Sequence, residues 1–162
     1  MLAVAILVYA AAMTAANLII AAVGPWVSPI NAFFLIGLDL ALRDWLHVRL
    51  RPIQMLSLIA VSGALTFILN PAAGQIAIAS AVAFTAGAMV DWATFLRLRG
   101  SWLRRANGSN VAGAAVDSLV FPTLAFGALM PGIVVAQFAA KVAGGAVWAL
   151  ILCRRSVARA AA

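Results

Sequence analysis

The chain has 162 residues, 66% of them hydrophobic and only 9% charged, where a soluble domain carries about 25% charged residues. Eleven basic and four acidic side chains give a net charge of +7, and so few charges cannot coat a water-soluble surface of this size. Disorder is excluded as well, because disordered chains are poor in apolar residues. What remains is an all-α integral membrane protein with almost no extramembrane mass. The positive charge does not point to nucleic acid, because the basic residues sit at the ends of apolar stretches rather than on one polar face.

Crossing a hydrocarbon core of about 30 Å takes about 20 apolar residues of helix. Six stretches qualify, at about 2–23, 27–46, 52–69, 72–96, 111–130 and 132–152. No basic segment precedes the first, so it is expected to be a retained helix rather than a cleaved signal. The third is short and is expected to thin the bilayer or stand with little tilt. Together the six occupy nearly all of residues 1–162, as one transmembrane domain.

The connections alternate in character. Three contain proline and no charge: Pro25 with Pro29, Asn70 with Pro71, and Pro131. The others are basic, with Arg43, Arg49 and Arg51, then Arg97, Arg99, Arg104 and Arg105, then Arg154, Arg155 and Arg159. Ten of the eleven basic residues therefore fall on one side. The positive-inside rule makes that side cytoplasmic, with both termini inside. Trp45, Trp92 and Trp102 beside these arginines fit an interfacial aromatic belt. The windows Asp44–Arg51 and Asp91–Arg99 resemble each other, a trace of internal duplication or a repeated interfacial pattern.

Ionisable residues inside a membrane are costly and point to function. The eleventh basic residue, Lys141, lies 13 residues before Arg154, about 20 Å of helix. Asp117 lies 12 residues after Arg105, about 18 Å by the same rise. Equal depth predicts that the two face one interior cavity, where pairing offsets the cost of burial. Gln137, Lys141 and Trp148 share a stripe of the sixth helix, and Ala136, Ala140 and Gly144 form an adjoining small-residue stripe. Asn110 and Asp117 share a face of the fifth helix, continued by Phe121 and Leu124. Pro122 is expected to interrupt that helix beside the polar groups.

Asp39 is four residues before Arg43 and is expected to pair with it near the cytoplasmic surface. Asp44 also reads as interfacial. Asp91 either lines the cytoplasmic mouth or pairs with an arginine. Asn17 either ties helices together or lines the cavity. His47 stands without a second metal-binding partner, and Cys153 has no partner for an internal disulfide. No nucleophile–base pair, metalloprotease motif or phosphate loop is present. An enzyme is therefore not expected, and neither is a metal or cofactor.

The run Val90-Asp91-Trp92 through Arg97-Leu98-Arg99, then Trp102 to Asn110, then Val116-Asp117-Ser118-Leu119-Val120-Phe121, resembles the putative vitamin uptake transporter family, also called the queuosine precursor transporter family. Its members have six spans, an aspartate ending the fourth, an Arg-rich loop, an Asn-Gly-Ser turn and a lysine in the sixth, which Lys141 matches. The clear resemblance covers about residues 87–145. The chain is shorter than typical members and lacks their Thr-Pro after that lysine.

The resemblance implies an inner-membrane importer of a deazapurine precursor of queuosine, such as 7-cyano-7-deazaguanine or its aminomethyl relative. A guanine-like edge offers paired N–H donors that the Asp117 carboxylate can accept. Lys141, Gln137 and Asn110 are candidates to donate to the ring, and Trp148, Phe121 or Trp92 to stack on it. Asn17 and Asp91 complete the candidate substrate-binding set, unless Asp117 only neutralises Lys141. The expected partners are the purine-like solute, the bilayer and a second copy in a homodimer. A rival reading is the substrate-binding subunit of an energy-coupling factor transporter, docking its partner through a face containing Ala12 and Ala16. A second rival is a structural subunit whose buried charges only hold helices together.

Overall fold

With no water in the hydrocarbon core, backbone N–H and C=O groups must be paired within the chain, and a helix does this locally. The computed structural model describes residues 2–47 and 49–160 and is all-helical over them, with no strand among the described residues. The side chains of His47, Arg154, Arg155 and Arg159, which the sequence placed at the basic face, lie outside what is described. Six helical stretches are long and apolar enough to cross a membrane.

The first span is α1 (Leu2–Val23), the third α4 (Pro52–Leu69), the fourth α5 (Gly74–Arg97), the fifth α6 (Trp102–Phe126) and the sixth α7 (Pro131–Ala160). The second span is segmented. A 3-10 turn (Pro25–Val27) leads into α2 (Ser28–Asn31), a π-helical turn (Ala32–Ile36) and α3 (Gly37–His47). Side chains point outward over much of the surface: Leu7, Val61, Phe67, Ile68 and Ile78 are exposed, as a lipid-facing belt requires. The aliphatic core gathers between α1, α3, α4 and α5 around Tyr9, Met13, Leu40, Met55, Ile59 and Phe84.

Local chemistry sets the helix ends. Prolines open the 3-10 turn at Pro25 and the helix α4 at Pro52, positions where the missing N–H has no intrahelical partner to lose. Gln54 Oε1 accepts from the Arg51 backbone N–H at 2.8 Å. The Asn70 carboxamide accepts from Ala72 N at 3.1 Å, and Ser101 Oγ caps α6. Gly127 ends α6 with φ +69°, which costs glycine little.

Two expectations are corrected here. The segment Asn107–Asn110 is not a turn: α6 begins at Trp102, nine residues before the expected start, and carries these residues as helix. Pro122 lies inside α6, which runs on to Phe126, so it interrupts the hydrogen-bond ladder without ending the helix. The second span runs as one membrane-crossing stretch, as the hydrophobic pattern had it, with a π turn inserted at Ala32–Ile36. Ala12 and Ala16 are 6% and 1% exposed, so they pack inside the bundle and are not available as a docking face.

The second span and α7 approach very closely. A Cβ on Gly37 would stand 2.6 Å from the Gly144 carbonyl carbon, and one on Gly144 would collide with the Phe33 carbonyl oxygen. Small residues let helix backbones come this near. The indole N–H of Trp148 donates to the Phe34 carbonyl at 3.1 Å, satisfying a backbone oxygen in the π turn. Substituting Gly144→Ala should therefore destabilise the protein by about 1–3 kcal/mol through overpacking. Gly132→Ala, with nothing within 4 Å of the new methyl, should leave stability unchanged; thermal unfolding in detergent micelles compares the two.

Candidate functional site

A close crossing of α5 and α6 positions the central carboxylate. A Cβ on Gly87 would come within 3.1 Å of the Gly113 carbonyl oxygen and 3.2 Å of Asp117 Cβ, so these helices touch backbone to side chain with no spare room. On α6 the buried positions Asn110, Gly113, Asp117, Ser118 and Phe121 recur at helical spacing and form one face. Leu124, expected to continue that face, is exposed.

Lys141 enters from α7 and is 2% exposed. Its Nζ lies 2.5 Å from Asp117 Oδ2 and donates to Gln137 Oε1 at 2.9 Å and Ser118 Oγ at 3.2 Å. The ammonium thus has an acceptor for each of its three N–H bonds. Gln137 Nε2 in turn donates to Ser28 Oγ at 2.5 Å. The chain of contacts runs from α6 through α7 to α2. Pro122 has no N–H, so the Ser118 carbonyl one turn earlier lacks its usual helix donor, adding acceptor character at the same level.

Above this chain lies a small cavity. Asn17, Ser28, Asn31, Ser80, Asp117, Gln137 and Lys141 supply its polar wall, and Ala16, Ile20, Ala32, Ile36, Phe84 and Phe121 its apolar one. The space open to water centres is about 20 Å³, room for about one or two waters. Asp117 Oδ1 has no hydrogen-bond partner. Asn17 donates to Thr66 Oγ1 at 3.3 Å and Asn31 to the Ala16 carbonyl at 3.1 Å, so both tie helices together while facing the cavity.

The structure therefore gathers Asp117, Lys141, Gln137, Asn17 and Phe121 at one cavity. Trp148, on the same α7 stripe, is absent from the lining; its indole serves the π turn instead. Asn110 and Asp91 belong to a second buried polar cluster nearer the arginine-rich end. Ser28, Asn31 and Ser80 had not been singled out from sequence; only their polarity within apolar spans signalled them.

The second cluster corrects one expectation. Arg43, Asp39 and Asp44 are each covered by the bundle, at most 1% exposed. The ion pair that Arg43 makes is with Asp91, Nε to Oδ2 at 3.5 Å, and not with Asp39 on its own helix. A Cβ on Gly113 would stand 2.9 Å from Asp91 Cβ and 3.1 Å from Arg43 Nη2. The absent side chain at Gly113 thus makes space for the pair. Asp91 pairs with an arginine, as one of its two sequence readings held.

The family model described as Putative vitamin uptake transporter matches residues 2–153. The chain belongs to that family. No curated protein and no solved structure gives a significant match. Family and fold together make it a multi-pass membrane protein of the vitamin-type uptake transporter class, and such a class is one of transport rather than catalysis.

In this transporter the buried ion pair can be dissected by a double-mutant cycle. Lys141→Met leaves a buried carboxylate without its cation and should cost about 3–5 kcal/mol of stability. The double variant Asp117→Asn with Lys141→Met should regain most of that loss. Equilibrium unfolding in micelles measures both, and strict additivity would show that the pair does not interact.

Proposed function

We propose that this transporter imports a deazapurine precursor of queuosine, of the 7-cyano-7-deazaguanine or aminomethyl-deazaguanine type, through the cavity between α1, the second span, α5, α6 and α7. The observation that carries the reading is the Asp117–Lys141 pair joined to Gln137 and Ser28 in a closed cavity with one carboxylate oxygen unpartnered. A carboxylate there accepts the paired N–H donors of a guanine-like edge. The ammonium and the carboxamide of Gln137 supply donors for ring oxygen and nitrogen. Phe84 and Phe121 offer apolar faces for a flat ring.

Ligand sites for small molecules usually span about 300–1,000 Å³, far above the space present here, so the conformation is a closed one. Access then requires helices to part around the site, as in alternating-access transporters. Charge asymmetry places the arginine-rich end in the cytoplasm.

The test uses cells unable to synthesise or import queuosine precursors. Expression of the chain alone, with 7-cyano-7-deazaguanine supplied at low concentration, should restore queuosine in tRNA. The charge-neutral double variant Asp117→Asn with Lys141→Met should insert normally and fail to restore it. No recovery with the natural chain would sink the substrate assignment. Recovery with the double variant would remove the pair from the binding site. Import by this chain alone would also exclude the energy-coupling factor reading.

A further inference from the structure

Asp39, Arg43 and Asp44 on α3 and Asp91 on α5 lie together inside the bundle, each at most 1% exposed. An arginine stays charged in proteins, so Arg43 contributes one positive charge and Asp91 is its ion-pair partner. Asp39 and Asp44 then each add a carboxylate. Among the described residues no second cation stands within ion-pair distance of either; Tyr9 faces Asp39, and Ser109 and Asp91 face Asp44, none of them within 3.5 Å of a carboxylate oxygen. Keeping a carboxylate charged and out of water without a cation or strong donors is costly.

Further observations around these aspartates point to a proton as their ligand. The Tyr9 hydroxyl of α1 is fully buried and faces Asp39. Ser109 of α6 lies beside Asp44, and the next residue, Asn110, keeps both carboxamide atoms unpartnered at 1% exposure. A protonated carboxyl is a hydrogen-bond donor and needs acceptors; the Tyr9 oxygen beside Asp39 and the Ser109 oxygen beside Asp44 are of that kind. A metal cation fits poorly. Among the described residues no three acidic or other ligating side chains converge on one point, and the Arg43 guanidinium would repel it.

We propose that Asp39 and Asp44 are a proton-binding site, and that protons loaded there enter together with the solute. Each loading step joins one carboxylate and one proton from solvent to give a neutral carboxyl, and release on the far side reverses it. The groups facing the site are Tyr9 from α1, Arg43 on α3 itself, Asp91 from α5, and Asp117 from α6 with its partner Lys141 on α7. The co-transport half of the inference rests on the precursor-import reading; the proton-binding half does not.

The experiment has two arms on the full chain in proteoliposomes. Infrared difference spectroscopy at neutral pH should show the carbonyl stretch of protonated carboxyls, and Asp39→Asn and Asp44→Asn should each remove part of it. Uptake of radiolabelled 7-cyano-7-deazaguanine should rise severalfold with an acid exterior and fall to the ungradiented level with a protonophore. Asp39→Asn should lose gradient-driven accumulation while keeping solute exchange across the membrane. Absence of the protonated-carboxyl signal overturns the proton site, and uptake indifferent to gradient and protonophore overturns co-transport. If the natural chain shows no uptake under any gradient, the precursor reading fails and the infrared arm alone decides the proton site.

Discussion

The ammonium of Lys141 is 2% exposed, and a charge taken out of water is tolerated only where its hydrogen bonds are replaced. Three helices are arranged to do so. Asp117 and Ser118 come from α6, Gln137 from α7 itself, and Ser28 from α2 takes the far end of Gln137. Ser28 can reach Gln137 because the second span does not run as a single straight helix. Its 3-10, α and π segments set the cavity-facing polar residues ahead of Gly37 on a different register from the charged residues behind it. π turns of this kind occur most often at functional sites.

Glycine placement converts this polar arrangement into a packed one. Gly87 and Gly113 let α5 and α6 cross closely enough to bring Asp91 and Asp117 into line, and Gly113 also clears space for Arg43. Gly37 and Gly144 do the same between α3 and α7. In a membrane, where lipid tails are as apolar as leucine, such contact gives helix association its specificity. The exposed Ile68, Phe67 and Val61 on α4 play no comparable part; they meet lipid.

Composition made the six spans readable, and the bounds of α1 and α4 agree with it residue for residue. Equal depth, counted in helical rise from flanking arginines, also foretold that Asp117 and Lys141 would meet. The same reasoning failed for Arg43. Asp39, four residues earlier on the same helix, is the partner that local spacing offers, and nothing local shows that Asp91 of α5 stands nearer. The π turn escaped notice because an apolar run such as Ala32–Ile36 carries no period that separates one helical form from another. Trp148 was misplaced for a related reason: its spacing from Lys141 matches the stripe, but its indole N–H donates to the Phe34 carbonyl in that π turn. Ser28, Asn31 and Ser80 were legible as polar residues in apolar spans, yet only tertiary packing turns them toward one cavity.

The close contacts divide the helices around the cavity into two pairs. The second span and α7 hold each other through Gly37, Gly144 and Trp148, while α5 and α6 hold each other through Gly87 and Gly113. Both buried ion pairs cross from one pair to the other: Lys141 of α7 to Asp117 of α6, and Arg43 of α3 to Asp91 of α5. A motion that parts these pairs at the cavity pulls on the Asp117–Lys141 bridge, and one that parts them at the arginine-rich end pulls on Arg43–Asp91. Breaking a buried bridge strands two charges unless something replaces each partner. Water can do so at an open mouth, and a solute with matched donors and acceptors can do so at Asp117 and Lys141. The bridges therefore favour the closed form when the cavity is empty, and opening is favoured only where a ligand or solvent satisfies the same groups. A ligand shifts such an equilibrium by its difference in affinity for the two forms, and these four charged side chains are where that difference arises.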